Sequence, residues 1–381
     1  MSDAKIVLAE TGFGNERESW GEDVLAINAA PLSGDRAAMR VTIGDMAAAL
    51  GLTKSTVSRA LNGYPDISAN TKLRVKRMAE ELNYMPLSHA QAIKTGRTRS
   101  LGLVLQLSDH DSQRPFLAEF LAGVSEGAST EGYTLTVASA DNDLHLIETF
   151  RNLLRDGKAD GFILPRAMVD DLRVSMFRDA DVPFVLYGRQ DNDTGCAWFD
   201  VRGEDAMHNA VVHLAQLGHQ RIGFINGGLI YNYAGLRRDG FARGMAACGL
   251  KIAREHVFED AVTAEDGMRV GAQLLDLPNP PTAIVCAVDR VALGVYKAAA
   301  ARGLKIGTDL SVVAYDGIHE GGHAQPPLTT YSVDNRQAGV RLATLLIRRI
   351  AGEAPEALRE TVAATFLERG STGPVAQLRH T

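Results

Sequence analysis

Val41–Asn62 reads VTIGDMAAALGLTKSTVSRALN. Ile43, Met46, Ala47 and Leu50 recur at helical spacing. Gly51 stops that helix, because glycine tolerates the backbone angles of a tight turn. Thr53 is placed to cap a second short helix that carries Ser55, Ser58 and Arg59. Val57 and Leu61, spaced i, i+4, turn inward and leave Lys54, Ser55, Ser58, Arg59 and Asn62 outside, all able to donate hydrogen bonds. Two short helices across a glycine turn form a helix-turn-helix, whose second helix can enter the major groove of DNA. The stretch is equally compatible with an ordinary helical hairpin on a globular domain, so its surroundings have to decide.

They do so first by charge. Residues 41–99 hold nine Lys/Arg against four Asp/Glu, whereas the 381-residue chain carries a net charge of −6. A basic module on an acidic body suits nucleic-acid contact through that module only. Residues 68–83, SANTKLRVKRMAEELN, predict a third helix capped by Ser68. Its apolar side is Leu73, Val75, Met78, Ala79 and Leu82, and Lys72, Arg74, Lys76 and Arg77 are available for phosphates. Tyr84-Met85-Pro86 ends it, and 87–99 (LSHAQAIKTGRTR) reads as a hinge with at most two helical turns, too short to be stable alone in water. Residues 1–40 lack sustained periodicity and read as a flexible extension, or as untranslated sequence if Met39 is the start.

From Ser100 strands and helices alternate. Strands are predicted at 101–107, 133–138, 161–164 and 183–187, with helices at 116–130 and 144–154 between them. A second series runs from a helix at 204–217 through a strand at 221–225, helices at 236–248 and 266–276, a strand at 283–286 and a helix at 290–302 to a strand at 311–315. Such alternation implies parallel sheets with helices on both faces, and two series imply two α/β lobes. Ligands of such folds bind beyond the carboxyl ends of the strands. The composition, 45% hydrophobic and 23% charged, is that of a globular protein. No apolar run reaches the roughly 18 residues of a membrane span. The acidic N-terminus is unlike a signal peptide, so a cytoplasmic location without membrane contact is expected. Cys196, Cys248 and Cys286 are odd in number and widely spaced, which suggests buried thiols.

The chain resembles the LacI/GalR family of transcriptional regulators along nearly its whole length from residue 41. The resemblance rests on the order and spacing of VTIGDMAAALGLTKSTVSRALNG, ISANTKLRVKRMAEELNYMP and AQAIKTGRTRSLGLVL. It continues through GHQRIGFING, RRDGFARGM, PPTAIVCAVDRVALGVYKAAAARGLKI, DLSVVAYDG and PPLTTYSVDNRQAG. It implies an all-α helix-turn-helix domain (41–86) with a hinge helix (87–99), then a two-lobed, periplasmic-binding-protein-like α/β effector domain (100–370) and a tail (371–381). It also implies a homodimer on palindromic double-stranded operator DNA, a small-molecule effector and no enzymatic activity. Lys54 and Ser55 match the base-reading positions, and Arg59 an arginine suited to guanine O6 and N7. Thr42, Thr53, Ser58 and Asn62 are assigned to phosphates, Ala90 matches the hinge alanine, and Ile93 stands where the family inserts an apolar side chain, usually leucine, into the minor groove.

For the effector, Asp289 matches an aspartate that binds sugar hydroxyls, and Arg237 an arginine that contacts ligand. The usual asparagine before that aspartate is Val288 here. Phe116 and the loop 109–114 match the first-lobe rim. Tyr187, Arg189 and Asp316 end strands at the cleft, while Tyr231 and Tyr233 precede the Arg237 helix and could stack on a sugar ring. Arg189 and Asp316 are equally suited to structural ion pairs. The effector is expected to be a sugar, with a glucoside favoured over a purine, and no cofactor or metal is expected. A transport protein sharing the two-lobed body is the alternative, disfavoured by the basic module.

Two enzyme-like strings need their context. His319-Glu320-Gly321-Gly322-His323 fits the zinc-protease pattern H-E-x-x-H, but its glycines oppose helix and a strand-end loop is expected there. Gly123–Gly127 fits G-x-S-x-G, yet Ser125 falls inside an amphipathic helix rather than at a strand-to-helix elbow.

Overall fold

The computed structural model describes residues 41–82, 84, 97–106 and 114–375. The extension 1–40, the hinge positions Ala90 and Ile93, most of the rim loop 109–114 and the end of the chain from residue 376 lie outside the described residues. Two compact units divide at residue 86.

The first unit contains α1 (Ile43–Leu50), α2 (Lys54–Leu61) and α3 (Ala69–Glu81). Thr42 and Asp45 form a reciprocal capping box at α1, and Gly51 closes that helix with φ 64°, the left-handed conformation a side chain would strain. Thr53 and Ser68 cap α2 and α3 through the amides of Thr56 and Thr71. Met46, Ala47, Val57, Ala60 and Val75 make the buried centre, with Met78, Ala79, Leu82 and Tyr84 half-buried around it. Leu73, expected in that core, is 49% exposed. The buried stripe of α3 runs through 75, 78, 79 and 82, and residue 73 falls off that face. Arg74 donates to the Leu50 carbonyl at the end of α1, so one of the four cations on α3 serves packing.

The second unit is two six-stranded sheets. The first lobe orders β11 (Arg359–Val362), β5 (Ala197–Val201), β4 (Phe184–Tyr187), β3 (Gly161–Leu164), β1 (Ser100–Gln106) and β2 (Thr134–Ala140), all parallel. The second orders β12 (Thr365–Leu367), β10 (Thr329–Ser332), β9 (Ser311–Asp316), β8 (Ala283–Cys286), β6 (Ile222–Ile225) and β7 (Val257–Phe258), parallel except for the antiparallel β12. The chain thus crosses between lobes three times, after β5, after β10 and after β11, and each lobe closes with a strand from the far C-terminal part. Residues 371–375, expected as tail, are packed instead. Ser371 is fully buried, donating to the Val312 carbonyl and accepting from the Thr329 amide.

The helices around the sheets are α4 (Arg114–Thr130), α5 (Asp143–Arg155), α6 (Leu172–Asp179), α7 (Gly203–Gln216), α8 (Asn232–Ala247), α9 (Ala264–Leu275), α10 (Asp289–Ala300), α11 (His319–Gly322) and α12 (Asn335–Ile350). The G-x-S-x-G string finds its explanation in α4. Ser125 is exposed in mid-helix, and the flanking glycines face α12. A Cβ on Gly123 would lie 2.0 Å from the Arg336 carbonyl oxygen, and one on Gly127 2.9 Å from that of Val340. The pair lets two helix backbones approach closely, a packing role.

Candidate DNA-reading helix and effector cleft

In the first unit α2 is the second helix of the helix-turn-helix. Lys54 and Ser55 occupy its first two positions and are exposed, while Val57 and Ala60 anchor its opposite face. Ser58 is half-buried. The Thr42 and Thr53 hydroxyls are used in the caps of α1 and α2, and the Asn62 amide donates back to the Ser58 carbonyl at 2.6 Å. Arg59 is held in place. Its Nη2 donates to Asp66 Oδ2 at 2.6 Å, and its guanidinium lies 4.8 Å from the centre of the Tyr64 ring. The hydrogen bond to Asp66 raises the arginine's pKa, and Arg59 in turn lowers that of Asp66. Both partners sit in the turn between α2 and α3, a constraint that helical periodicity could not reveal.

In the second unit the carboxyl ends of the strands enclose a cleft of about 740 Å³ between the lobes. Phe116, Tyr187, Arg189, Tyr233, Arg237 and Asp316 line it. Phe116 stacks on Phe120 at 5.0 Å, and both lie within 6.0 Å of the Tyr187 ring, so the two cleft-lining rings are backed by the buried Phe120. Burial raises the Tyr187 phenol well above its usual pKa, so it stays neutral and can donate a hydrogen bond.

Arg237 is the central cation. It is 9% exposed, lies 4.4 Å from the Tyr233 ring and 4.0 Å from the Tyr315 ring, and donates from Nη1 to the Ala287 carbonyl at 2.7 Å. Its Nε has no partner among the described residues, so a ligand acceptor there would satisfy a buried donor. Asp316 faces the same space at the end of β9, with φ 126°, a backbone region that side chains rarely adopt. Burial pushes its carboxyl up to about 7, against the opposing pull of Arg237.

Three expected ligand contacts stand differently. Arg189 is engaged by Asp200 at 2.6 Å and Glu204 at 2.5 Å, so it forms the structural ion-pair network that its position also allowed. Tyr231 is not on the cleft wall. It caps α8, stacks on Tyr233 at 5.4 Å and pairs with Met168 across the lobes. The helix begins at Asn232, earlier than expected, which brings Tyr233 into its first turn. Asp289 is fully buried, and its neighbours Val288 and Arg290 form the wall instead. Its Oδ2 accepts from the amides of Gly317 and Ile318 at 2.8 Å each, and its Oδ1 accepts from the Thr330 hydroxyl at 2.6 Å. Burial raises it to about 6. In this geometry Asp289 organises the 317–318 loop, and Asp316 faces the cleft.

Beside Tyr231 the lobes share a backbone clasp. The Val169 amide donates to the Ile230 carbonyl and the Asn232 amide to that of Ala167, both at 3.0 Å. The sequence reading passed over Tyr315, Arg166 and this clasp. Arg166 stands two residues beyond β3, where the strand-end rule alone could have found it. Arg290, His319, His323 and Arg369 line the other end of the cleft. The 319–323 string, expected as loop, contains one helical turn, because Asp289 fixes its entry and Leu328 donates its amide to the Gly321 carbonyl.

A helix-turn-helix module and a two-lobed ligand cleft on one chain define a transcriptional regulator with a ligand-binding domain. Residues 42–86 match the model of the bacterial regulatory proteins of the lacI family, and residues 211–372 that of a periplasmic binding protein-like domain. The HTH-type transcriptional regulator AglR of Rhizobium meliloti (strain 1021) is 36% identical over 341 residues, covering 88% of this chain and 95% of AglR. The HTH-type transcriptional repressor PurR of Glaesserella parasuis serovar 5 (strain SH0165) is 30% identical, covering 81% and 90%. Among solved structures, the lac repressor dimer bound to operator and the anti-inducer ONPF aligns with a TM-score of 0.73 at 25% identity, over 87% of this chain and 99% of that one. The complex of the regulator CelR with cellobiose aligns at 0.67 and 27%, over 87% and 100%. The chain belongs to the LacI family of transcriptional regulators. These relatives are regulators rather than enzymes, and no helix among the described residues is long and apolar enough to cross a membrane.

Proposed function

We propose that this regulator is a cytoplasmic homodimeric repressor of carbohydrate uptake or catabolism genes, whose grip on a palindromic operator is set by a sugar of the glucoside class bound between the lobes. The observation that carries the ligand class is the cleft's pairing of aromatic faces with a buried guanidinium and carboxylate. Phe116 and Tyr187 offer apolar surface to the C–H faces of a sugar ring, while Arg237, backed by the Tyr233 ring, and Asp316 match its hydroxyls as donor and acceptor. At about 740 Å³ the cleft lies within the usual ~300–1,000 Å³ of small-molecule sites. The cellobiose complex of CelR supports the same class.

For DNA, Lys54, Ser55 and Arg59 are proposed as base readers, with Ile93 as the minor-groove wedge and Ala90 beside it. Thr42, Thr53, Ser58 and Asn62 hold phosphates. Sugar alters operator affinity only as far as it prefers one arrangement of the lobes over another. A thermal-shift screen of glucosides, other sugars and purines tests the ligand class, since a ligand of the folded state raises its stability. A response confined to purines would reject the sugar assignment and leave the regulator assignment standing.

A further inference from the structure

The H-E-x-x-H string has no part in DNA reading, yet its two histidines meet. The helical turn His319–Gly322 brings His319 Nε2 within hydrogen-bond distance of His323 Nε2, at 3.3 Å, with the ring centres 4.5 Å apart. Both side chains are exposed, and both line the end of the cleft. Two nitrogens bound to one tetrahedral ion at about 2.0–2.1 Å lie about 3.3 Å apart. We propose that His319 and His323 together bind a divalent transition-metal ion at the mouth of the effector cleft.

Spacing i, i+4 sets both rings on one face of the turn, as two cis ligands require. The turn is also braced. Asp289 holds the Gly317 and Ile318 amides at its entry, and the Leu328 amide donates to the Gly321 carbonyl at 2.8 Å. Among the described residues no cluster of three or more His, Cys, Asp or Glu could hold a metal, so the remaining positions fall to water or to polar groups of a cleft ligand. This separates the site from a zinc protease, which needs a third protein ligand and a free glutamate. Glu320 instead faces Arg290 at 3.7 Å. With that guanidinium nearby, and that of Arg369 beside Gly322, the local field is not strongly anionic. Affinity therefore comes from the imidazole nitrogens, which favour Cu²⁺, Ni²⁺ and Zn²⁺ over Mg²⁺ and Ca²⁺.

The test is calorimetric titration of the full-length, tag-free chain, stripped with chelator, using Ni²⁺ and separately Mg²⁺. One Ni²⁺ per chain is expected, with no Mg²⁺ heat. Even outer-shell partners matter by 10–100-fold at metal sites, so His319→Gln and His323→Gln should each weaken Ni²⁺ by at least about tenfold. His145→Gln, altering the exposed His145–Asp141 pair, should leave it unchanged. Because both histidines are exposed, the variants should keep the parent's circular dichroism. No Ni²⁺ binding by the parent would overturn the assignment, as would parent-like affinity in the double variant or loss of binding in His145→Gln.

Discussion

Asp289→Ala separates two roles for a buried carboxylate. The substitution removes the acceptor of three hydrogen bonds, from the Gly317 and Ile318 amides and the Thr330 hydroxyl. Thr330 is fully buried, so its hydroxyl loses a charge-assisted bond of roughly 1.5–3 kcal/mol with no water to replace it. The two amides belong to half-buried residues, and each should lose nearer 1 kcal/mol. Removing a carboxylate that burial disfavours returns part of this, leaving a net loss of about 2–3 kcal/mol. Asp289→Asn keeps an acceptor for the amides and can turn its amide nitrogen toward the Thr330 hydroxyl, so it should lose about 1 kcal/mol or less. Urea unfolding of the effector domain, followed by circular dichroism, reads both values as midpoint shifts at constant slope. Sugar titration then reads function. A positioning role predicts that the Asn variant retains sugar binding and the Ala variant loses it together with stability. Native stability in both variants, with sugar binding abolished in both, would mean that Asp289 touches the ligand and that the loop network is not what it supports.

Other expectations follow from the same geometry. Arg59→Ala should weaken operator binding by about 1–3 kcal/mol at fixed salt while changing non-specific binding less, as read by competition gel shift. Asp66→Asn should release Arg59 and reduce discrimination at the guanine it reads; unchanged discrimination would show that Asp66 does not position it. Asp316 is raised to about 7 and Asp289 to about 6, so the folded protein binds more protons than the unfolded chain between about pH 4 and 7, and stability should fall as pH rises through that window. Asp316→Asn should flatten the upper part of that fall in thermal melts at a series of pH values. Hydrogen exchange should slow at the Val169 and Asn232 amides when sugar binds, if the clasp belongs to the liganded arrangement of the lobes.

Much of the fold was legible because its signals are local. Capping threonines, Gly51 and the alternation of buried strands with amphipathic helices are properties of neighbouring residues, and they located α1–α3 and most of the two sheets. Leu73 is apolar but lies opposite the buried stripe of α3, so residue type alone does not place it in the core. Some local elements escaped, among them the helix α6 and the short strands β5, β7 and β10, and the rest of what escaped depends on distance in sequence. The return of β11 and β12 to separate lobes pairs Arg359 with Trp198 and Leu367 with Thr330, which no local pattern encodes. The cleft residues Arg237 and Asp316 were reachable from strand-end and family position. That Asp289 turns away from the cleft depends on the path of the 317–318 loop, and that Arg59 rests on Tyr64 and Asp66 depends on the fold of a turn. The glycines of the 319–323 string argued against a helix, yet tertiary hydrogen bonds outweighed their propensity for a single turn.

The central claim, that a sugar between the lobes governs DNA binding by α2, meets its most direct test in one gel-shift series on DNA upstream of this gene. Purified protein is titrated with and without the sugar that most raises its melting temperature. The account predicts a specific complex whose affinity changes with that sugar, and which Arg59→Ala weakens at the same protein concentration. Specific binding that is indifferent to every sugar and lost in no α2 variant would contradict it.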